Sequence, residues 1–129
     1  MAVRGIRGAT TAEANERASI LAATRELLQA MIEANRVHPD DVASILFTTS
    51  PDLNAEYPAV VAREMGWRDA ALLCVREMDV PHGVPRCIRI LIHWNTDARA
   101  ADIRHVYLRD AISLRPDRAA TSSLDMGRP

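Results

Sequence analysis

The chain has 129 residues, of which 48% are hydrophobic and 4% aromatic, and its 16 basic and 17 acidic side chains give a formal net charge of −1. This length predicts a single domain with its own aliphatic core, and the balanced charge argues against a general binder of nucleic acid or anionic membranes. Two cysteines are too few for a disulfide scaffold, and the absence of a leader or an 18-residue apolar run favours a cytoplasmic protein.

The first two predicted elements are a strand and a long helix. Residues 3–11 predict the strand, in which Gly5 and Gly8 flank Arg7; small residues there indicate close approach by a backbone or a ligand. Residues 15–35 predict the helix, with Asn15 as its cap. Its core-facing stripe recurs at spacings of three and four: Ile20, Leu21, Thr24, Leu27, Leu28, Met31 and Ile32.

Four further strands and a short helix follow. Residues 42–49 form a nearly continuous apolar run, which is typical of a central strand, and residues 58–65 predict a short helix that Gly66 ends. The remaining strands are predicted at residues 70–75, 87–94 and 111–114.

These elements predict one α/β (α+β) domain over residues 1–116, with a mixed five-stranded sheet, one long helix and one or two short ones. Residues 117–129 lack periodicity and are interpreted as a flexible C-terminal tail. One long helix covers only one face of such a sheet, so the other face is expected to be covered by self-association.

Several common functional motifs do not occur. The chain has no GxGxxG, phosphate-binding GxxxxGK[ST], HExxH or GxSxG pattern. The four histidines lack metal-ligand spacing, and the two cysteines do not form a CxxC pair. We therefore predict neither a metal nor a cofactor.

Arg89 is the most unusual residue, because it interrupts the apolar run of residues 87–92 and is expected to be buried. A buried guanidinium requires a partner or an anionic ligand. Because all 16 basic residues are arginine, the residue type itself carries little information. A structural ion pair, an arginine at an oligomer interface and a cation for an anionic ligand remain open.

The other candidates have structural interpretations when taken singly. Arg7 can be a surface or interface arginine, Glu77 an ion-pair partner, Cys74 a small buried side chain and Tyr107 a core ring. His93 should share its strand face with Arg89. Together, several cations with few general bases suit a small dianionic substrate that needs positioning and charge stabilisation, rather than proton abstraction or covalent catalysis.

The chain resembles a known family over residues 3–117. The family is the trimeric α/β class of chorismate mutases, the AroH class. The resemblance rests on segments that occur in the same order and at near-identical spacing: residues 4–11, 49–53, 57–59 and 62–64, Cys74 with residues 77–80, then residues 87–89, 103–108 and 114–117.

The resemblance implies a pseudo-α/β-barrel homotrimer with active sites in clefts between neighbouring subunits. It implies the Claisen rearrangement of chorismate to prephenate, on the route to phenylalanine and tyrosine. That reaction is intramolecular and involves neither a proton transfer nor a covalent enzyme intermediate.

The resemblance also implies roles for individual residues. Arg89 corresponds to the cation beside the breaking ether oxygen, and Arg7 to a residue that holds a substrate carboxylate. Glu77 and Cys74 match positions facing the ring, and Tyr107 matches a hydrogen-bond donor to the side-chain carboxylate. Other pocket residues are Leu73, Val75, Arg76, Leu114 and Arg115, with Tyr57, Ala59 and Arg63 contributed by the adjacent subunit.

Three positions depart from the family pattern. Val60 and Leu73 stand where members carry a lysine and a threonine, and Tyr57 replaces a phenylalanine. Two rival functions remain: a trimeric protein that binds a small carboxylate without catalysis, and an enamine or imine deaminase of similar architecture.

Overall fold

The computed structural model of the chain describes residues 1–114. Its strands are β1 (Ala2–Thr11), β2 (Val42–Thr49), β3 (Ala71–Arg76), β4 (Cys87–Thr96) and β5 (Val106–Tyr107). Its α-helices are α1 (Arg17–Asn35) and α2 (Val60–Glu64), and 3-10 turns span Pro39–Asp41, Ala100–Asp102 and Arg109–Leu114. The strands form one mixed sheet in the order β3-β2-β4-β1-β5. The predicted fold class is therefore confirmed, with β2 inside the sheet as expected.

The predicted last strand at residues 111–114 is wrong. That segment belongs to a 3-10 helix, in which Ala111 is buried while Ile112 is exposed. The fifth strand is instead β5, which pairs in parallel with Gly8 and Ala9 of β1. Two residues are too few for an alternating pattern, so only the pairing with β1 defines this strand.

Asn15 does not cap α1 as predicted. The N-cap residue is Glu16, which makes no side-chain capping bond. The Asn15 side chain instead binds the loop after β2, donating to Asn54 Oδ1 at 2.8 Å and accepting from the backbone N–H groups of Asn54 and Ala55 at 3.0 Å. Asn15 therefore connects the N-terminus of α1 to that loop.

The core lies between α1 and one face of the sheet, here called the helix face. The buried α1 stripe packs against alternate residues of β1, β2 and β4, which include Ile6, Ile45, Phe47, Ile90 and Ile92. Gly8 permits this contact, since a Cβ there would lie 2.3 Å from Met31 Sδ. The close approach expected at this glycine is thus made by the helix and not by a ligand.

Thr10 lies on the helix face and provides a test of the core. It is fully buried, and its hydroxyl has no hydrogen-bond partner within residues 1–114. Valine has nearly the same shape without the unsatisfied hydroxyl, so Thr10→Val should raise the free energy of unfolding by about 1 kcal/mol in urea denaturation.

Thr24→Val is the matched control, because the Thr24 hydroxyl donates to Ile20 O at 2.7 Å. Removal of the Thr24 hydroxyl should give no comparable rise in the free energy of unfolding. A Thr10→Val variant less stable than wild type would contradict the assignment of an unsatisfied hydroxyl.

The opposite side of the sheet, here called the open face, is apolar and incompletely covered. Val3, Leu73 and Val75 are exposed on it, and Leu46 and Leu91 are half-buried. No helix within residues 1–114 is long and apolar enough to cross a membrane. Val3, Leu73 and Val75 are thus apolar side chains that the folding of a single chain leaves exposed.

Candidate active site

Arg89 lies on the open face and is not buried, contrary to the sequence prediction. Its neighbours Ile88 and Ile90 point into the core and are almost fully buried, whereas 46% of the Arg89 side chain is exposed. Successive strand residues point to opposite faces, so an apolar run on both sides of Arg89 does not imply that Arg89 is buried. His93 shares this face, as predicted, and its Nδ1 lies 2.7 Å from Ser44 Oγ.

Glu77 is the carboxylate partner of Arg89. Its backbone N–H donates to Thr49 O at 2.8 Å, which extends the pairing of β2 and β3 by one residue. Arg89 Nε lies 3.6 Å from Glu77 Oε2, too far for a good hydrogen bond. The short contact to Oε2 comes from Thr48 Oγ1 at 2.7 Å. Thr48 was missed in the sequence, because nothing there reveals which residue lies between Glu77 and Arg89.

Arg7 and Tyr107 extend this group across the sheet. Arg89 pairs with Ala9 on β1, and Ala9 pairs with Tyr107 on β5. Arg7, two residues before Ala9, is a diagonal neighbour of Arg89, and such pairs lie about 7–8 Å apart. No carboxylate within residues 1–114 forms an ion pair with Arg7. Two guanidinium groups therefore share one face, and within residues 1–114 only that of Arg89 forms an ion pair with a carboxylate, that of Glu77.

A cleft of about 470 Å³, here called the Arg89 cleft, adjoins these residues. Cys87 lines it, and the Cys87 thiol lies close to the Arg89 guanidinium. Burial raises the pKa of Cys87, although the charge of Arg89 opposes the shift. The thiol therefore stays protonated at neutral pH and is unsuited to act as a nucleophile.

A polar network that sequence reasoning missed fixes the beginning of β4. Ser50 Oγ donates to the Asp52 carboxylate and accepts from the Cys87 N–H at 2.8 Å. The Arg86 N–H donates to both Asp52 oxygens, at 2.9 and 3.1 Å. Burial raises the pKa of Asp52, but the hydrogen bonds from Ser50 and Arg86 outweigh it and hold that pKa below its usual value. The ionised Asp52 carboxylate thus fixes the backbone at Arg86, immediately before β4 and three residues before Arg89.

A second cleft of about 460 Å³, here called the Tyr57 cleft, lies beyond the edge strand β3. Tyr57, Cys74, Val75 and Arg76 line it, and Tyr57 is 68% exposed. This cleft is similar in volume to the Arg89 cleft and holds a different set of the predicted residues.

Cys74 belongs to the Tyr57 cleft and not to the group around Arg89. It pairs with Phe47, whose side chain lies in the core, and it is half-buried against that core. Burial raises the pKa of Cys74, opposed by a hydrogen bond with the Ala59 backbone and by the charge of Arg63. Residues 74 and 77 are an odd number apart, so their side chains point to opposite faces.

The structure thus divides the predicted site residues into two groups. Arg7, Glu77, Arg89 and Tyr107 lie together on the open face, where Leu73 is also exposed. The second group is Tyr57, Cys74, Val75 and Arg76, which line the Tyr57 cleft, with Ala59 and Arg63 next to Cys74. Leu114 is half-buried at the end of the last 3-10 helix, and Arg115 lies outside the described residues.

The chemistry available to the first group is electrostatic. Two guanidiniums, a carboxylate and a phenol suit a small dianion, while both thiols are held protonated. In the part of the chain that the structure describes, no group of three or more His, Cys, Asp or Glu residues is placed to hold a metal ion.

Comparison with known proteins identifies the family. The family model for chorismate mutase type I matches residues 3–118. The chain belongs to this family. It is therefore an isomerase, and the predicted family and enzyme class are confirmed.

Individual relatives cover nearly the whole chain. Chorismate mutase AroH of Bacillus subtilis is 42% identical over 127 residues, covering 98% of this chain and 100% of the relative. Chorismate mutase AroH of Thermus thermophilus is 48% identical over 116 residues, covering 89% and 95%. The solved structure of a chorismate mutase from Clostridium thermocellum superposes with a TM-score of 0.83 at 48% identity, covering 84% of this chain and 97% of that one.

Proposed function

We propose that this chorismate mutase is a homotrimer whose catalytic sites each combine the Arg89 cleft of one subunit with the Tyr57 cleft of the next. The observation that carries the proposal is the division of the site residues in one chain: Arg89 faces outward on an apolar open face, while Cys74 points away from it. A head-to-tail contact that closes into a ring of three copies would cover Val3, Leu73 and Val75. It would also bring the Arg89 cleft of one subunit against the Tyr57 cleft of the next.

The substrate is chorismate and the product is prephenate, in the cytoplasmic synthesis of phenylalanine and tyrosine. The rearrangement breaks an enol-pyruvyl ether bond while a carbon–carbon bond forms within the same molecule. Negative charge grows on the ether oxygen in the transition state. A guanidinium donor placed there is selective for the transition state, because the ground-state ether carries little charge.

Arg89 is the donor to the ether oxygen in this proposal. Arg7 and Tyr107 hold the substrate carboxylates, and Glu77 accepts a hydrogen bond from the ring hydroxyl. These four side chains share one face, which is the arrangement that a rigid dianion requires.

The adjacent subunit supplies the opposite wall. Its Tyr57, Ala59 and Arg63 close the site, and Cys74 joins them because it lies beside Ala59 and Arg63. The remaining residues of the proposed site are Leu73, Val75, Arg76, Leu114 and Arg115. The site needs neither a cofactor nor a metal for this reaction.

Proton NMR of chorismate in D₂O with the purified enzyme tests this proposal. The expected result is that prephenate is the sole product and that its carbon-bound positions carry no deuterium in the earliest spectra, since the rearrangement transfers no proton. A protein that only binds carboxylates would leave chorismate to decay at the buffer rate. Either that outcome or early deuterium incorporation would refute the proposed reaction.

A further inference from the structure

We propose that Thr48 is a positioning residue of this site, which holds the Glu77 carboxylate away from Arg89 and thereby keeps the guanidinium available to the substrate. The inference rests on the proposed function, and it assigns a role to a residue outside the groups described for substrate contact. It follows from the position of Thr48 in the sheet and from the unequal distances around Glu77 Oε2.

Thr48 lies between the two charged residues. On β2 it pairs with Val75 on one side and with Arg89 on the other. Paired residues of neighbouring strands point to the same face, so the Thr48 hydroxyl stands on the open face between the end of β3 and β4. Glu77 immediately follows β3, and its backbone is fixed by the hydrogen bond to Thr49 O. Only the Glu77 side chain is therefore able to move toward Arg89.

The distances show which group holds the carboxylate. Thr48 Oγ1 donates to Glu77 Oε2 at 2.7 Å, whereas Arg89 Nε lies 3.6 Å from the same oxygen. Guanidinium–carboxylate hydrogen bonds are normally about 2.7–2.9 Å long, so this ion pair is stretched. The Thr48 hydrogen bond competes with it by holding Oε2 on the β3 side.

Loss of the Thr48 hydroxyl should let Glu77 close onto Arg89. The resulting short ion pair would satisfy both charges within the empty site, and the substrate would have to break it before using Arg89. The substitution would therefore raise KM more than it lowers kcat, since the bound complex still contains both charged groups.

Thr48→Val tests the inference, because it removes the hydroxyl while keeping the side-chain shape. We expect KM for chorismate to rise about tenfold or more, as for a lost hydrogen bond to a charged group, with a smaller change in kcat. Thr48→Ser keeps the donor and should restore KM to near the wild-type value. Thr10→Val, the same change at a threonine without a partner, controls for the substitution itself.

A double-mutant cycle separates positioning from a general structural effect. In a Glu77→Ala background no carboxylate remains to be held, so adding Thr48→Val should change KM by less than about twofold. A wild-type KM in Thr48→Val, or an equal rise in both backgrounds, would overturn the inference. The melting temperature of each variant establishes that the folded enzyme is being compared.

Crystal structures provide a measurement that does not depend on activity. In Thr48→Val, Arg89 Nε and Glu77 Oε2 should approach to about 2.7–2.9 Å, compared with 3.6 Å in the wild type. An unchanged distance would refute the role of Thr48 even if the wild-type enzyme left chorismate unconverted. A wild-type enzyme without turnover would refute the proposed function instead, so the two failures are distinguishable.

Discussion

Replacement of Arg89 by alanine is expected to lower kcat of the enzyme by at least about 100-fold, because a preorganised donor to a developing negative charge contributes about 3 kcal/mol. The backbone at position 89 is held by pairing with both Thr48 and Ala9, so the variant should still fold. The variant should therefore be inactive and intact. Steady-state kinetics with chorismate, together with circular dichroism and sedimentation, measure both properties.

Two further variants make this test specific. Arg89→Lys should also be severely impaired, because an ammonium on a flexible stem does not reproduce the planar donor fork. Arg68→Ala removes an exposed arginine that lies outside both clefts and should behave as wild type. Near-normal turnover by a folded Arg89→Ala trimer would show that Arg89 does not stabilise the transition state.

The second large effect is expected when two inactive variants are combined. Arg63 acts on Cys74 of the Tyr57 cleft and Arg89 lines the other cleft, so in the proposed trimer one site would take them from different subunits. Arg63→Ala and Arg89→Ala are each expected to lose most activity as homotrimers. In a trimer containing both kinds of chain, one of the three sites receives an intact Arg89 from one subunit and an intact Arg63 from the next.

Random mixing of equal amounts gives mixed trimers in about three-quarters of cases, each with one intact site, so about one-quarter of the wild-type activity should return. Unfolding and refolding the two variants together, followed by a chorismate assay, measures this recovery. Refolding each variant alone is the control. Activity no greater than the mean of the two separate variants would exclude sites shared between subunits.

Sequence periodicity was sufficient for the central elements of this fold. The continuous apolar run of β2 and the repeating stripe of α1 each contain enough residues to identify the element, and both lie where predicted within two residues. The two-residue β5 carries no such pattern, and the apolar residues at 111–114 instead follow the spacing of a 3-10 helix. Short elements are defined by tertiary pairing, which a local pattern does not contain.

The sequence indicated candidate residues for the site but not how the sheet arranges them. Arg89 was identified because a charge in an apolar strand is unusual, yet the same apolar run led to the wrong expectation of burial. Cys74 was placed with Glu77 although strand alternation separates them. Thr48 escaped notice because its role depends on the register between β2 and β4, which only the folded sheet reveals.

The most direct test of the proposed shared site is a crystal structure of the enzyme with a stable bicyclic dianion that mimics the rearrangement transition state, since such mimics bind more tightly than the substrate. We expect a trimer in which Arg89 of one subunit donates to the ether oxygen of the mimic, with Arg63 and Cys74 of the next subunit in the same cleft. A mimic bound within a single chain, or away from Arg89, would contradict it.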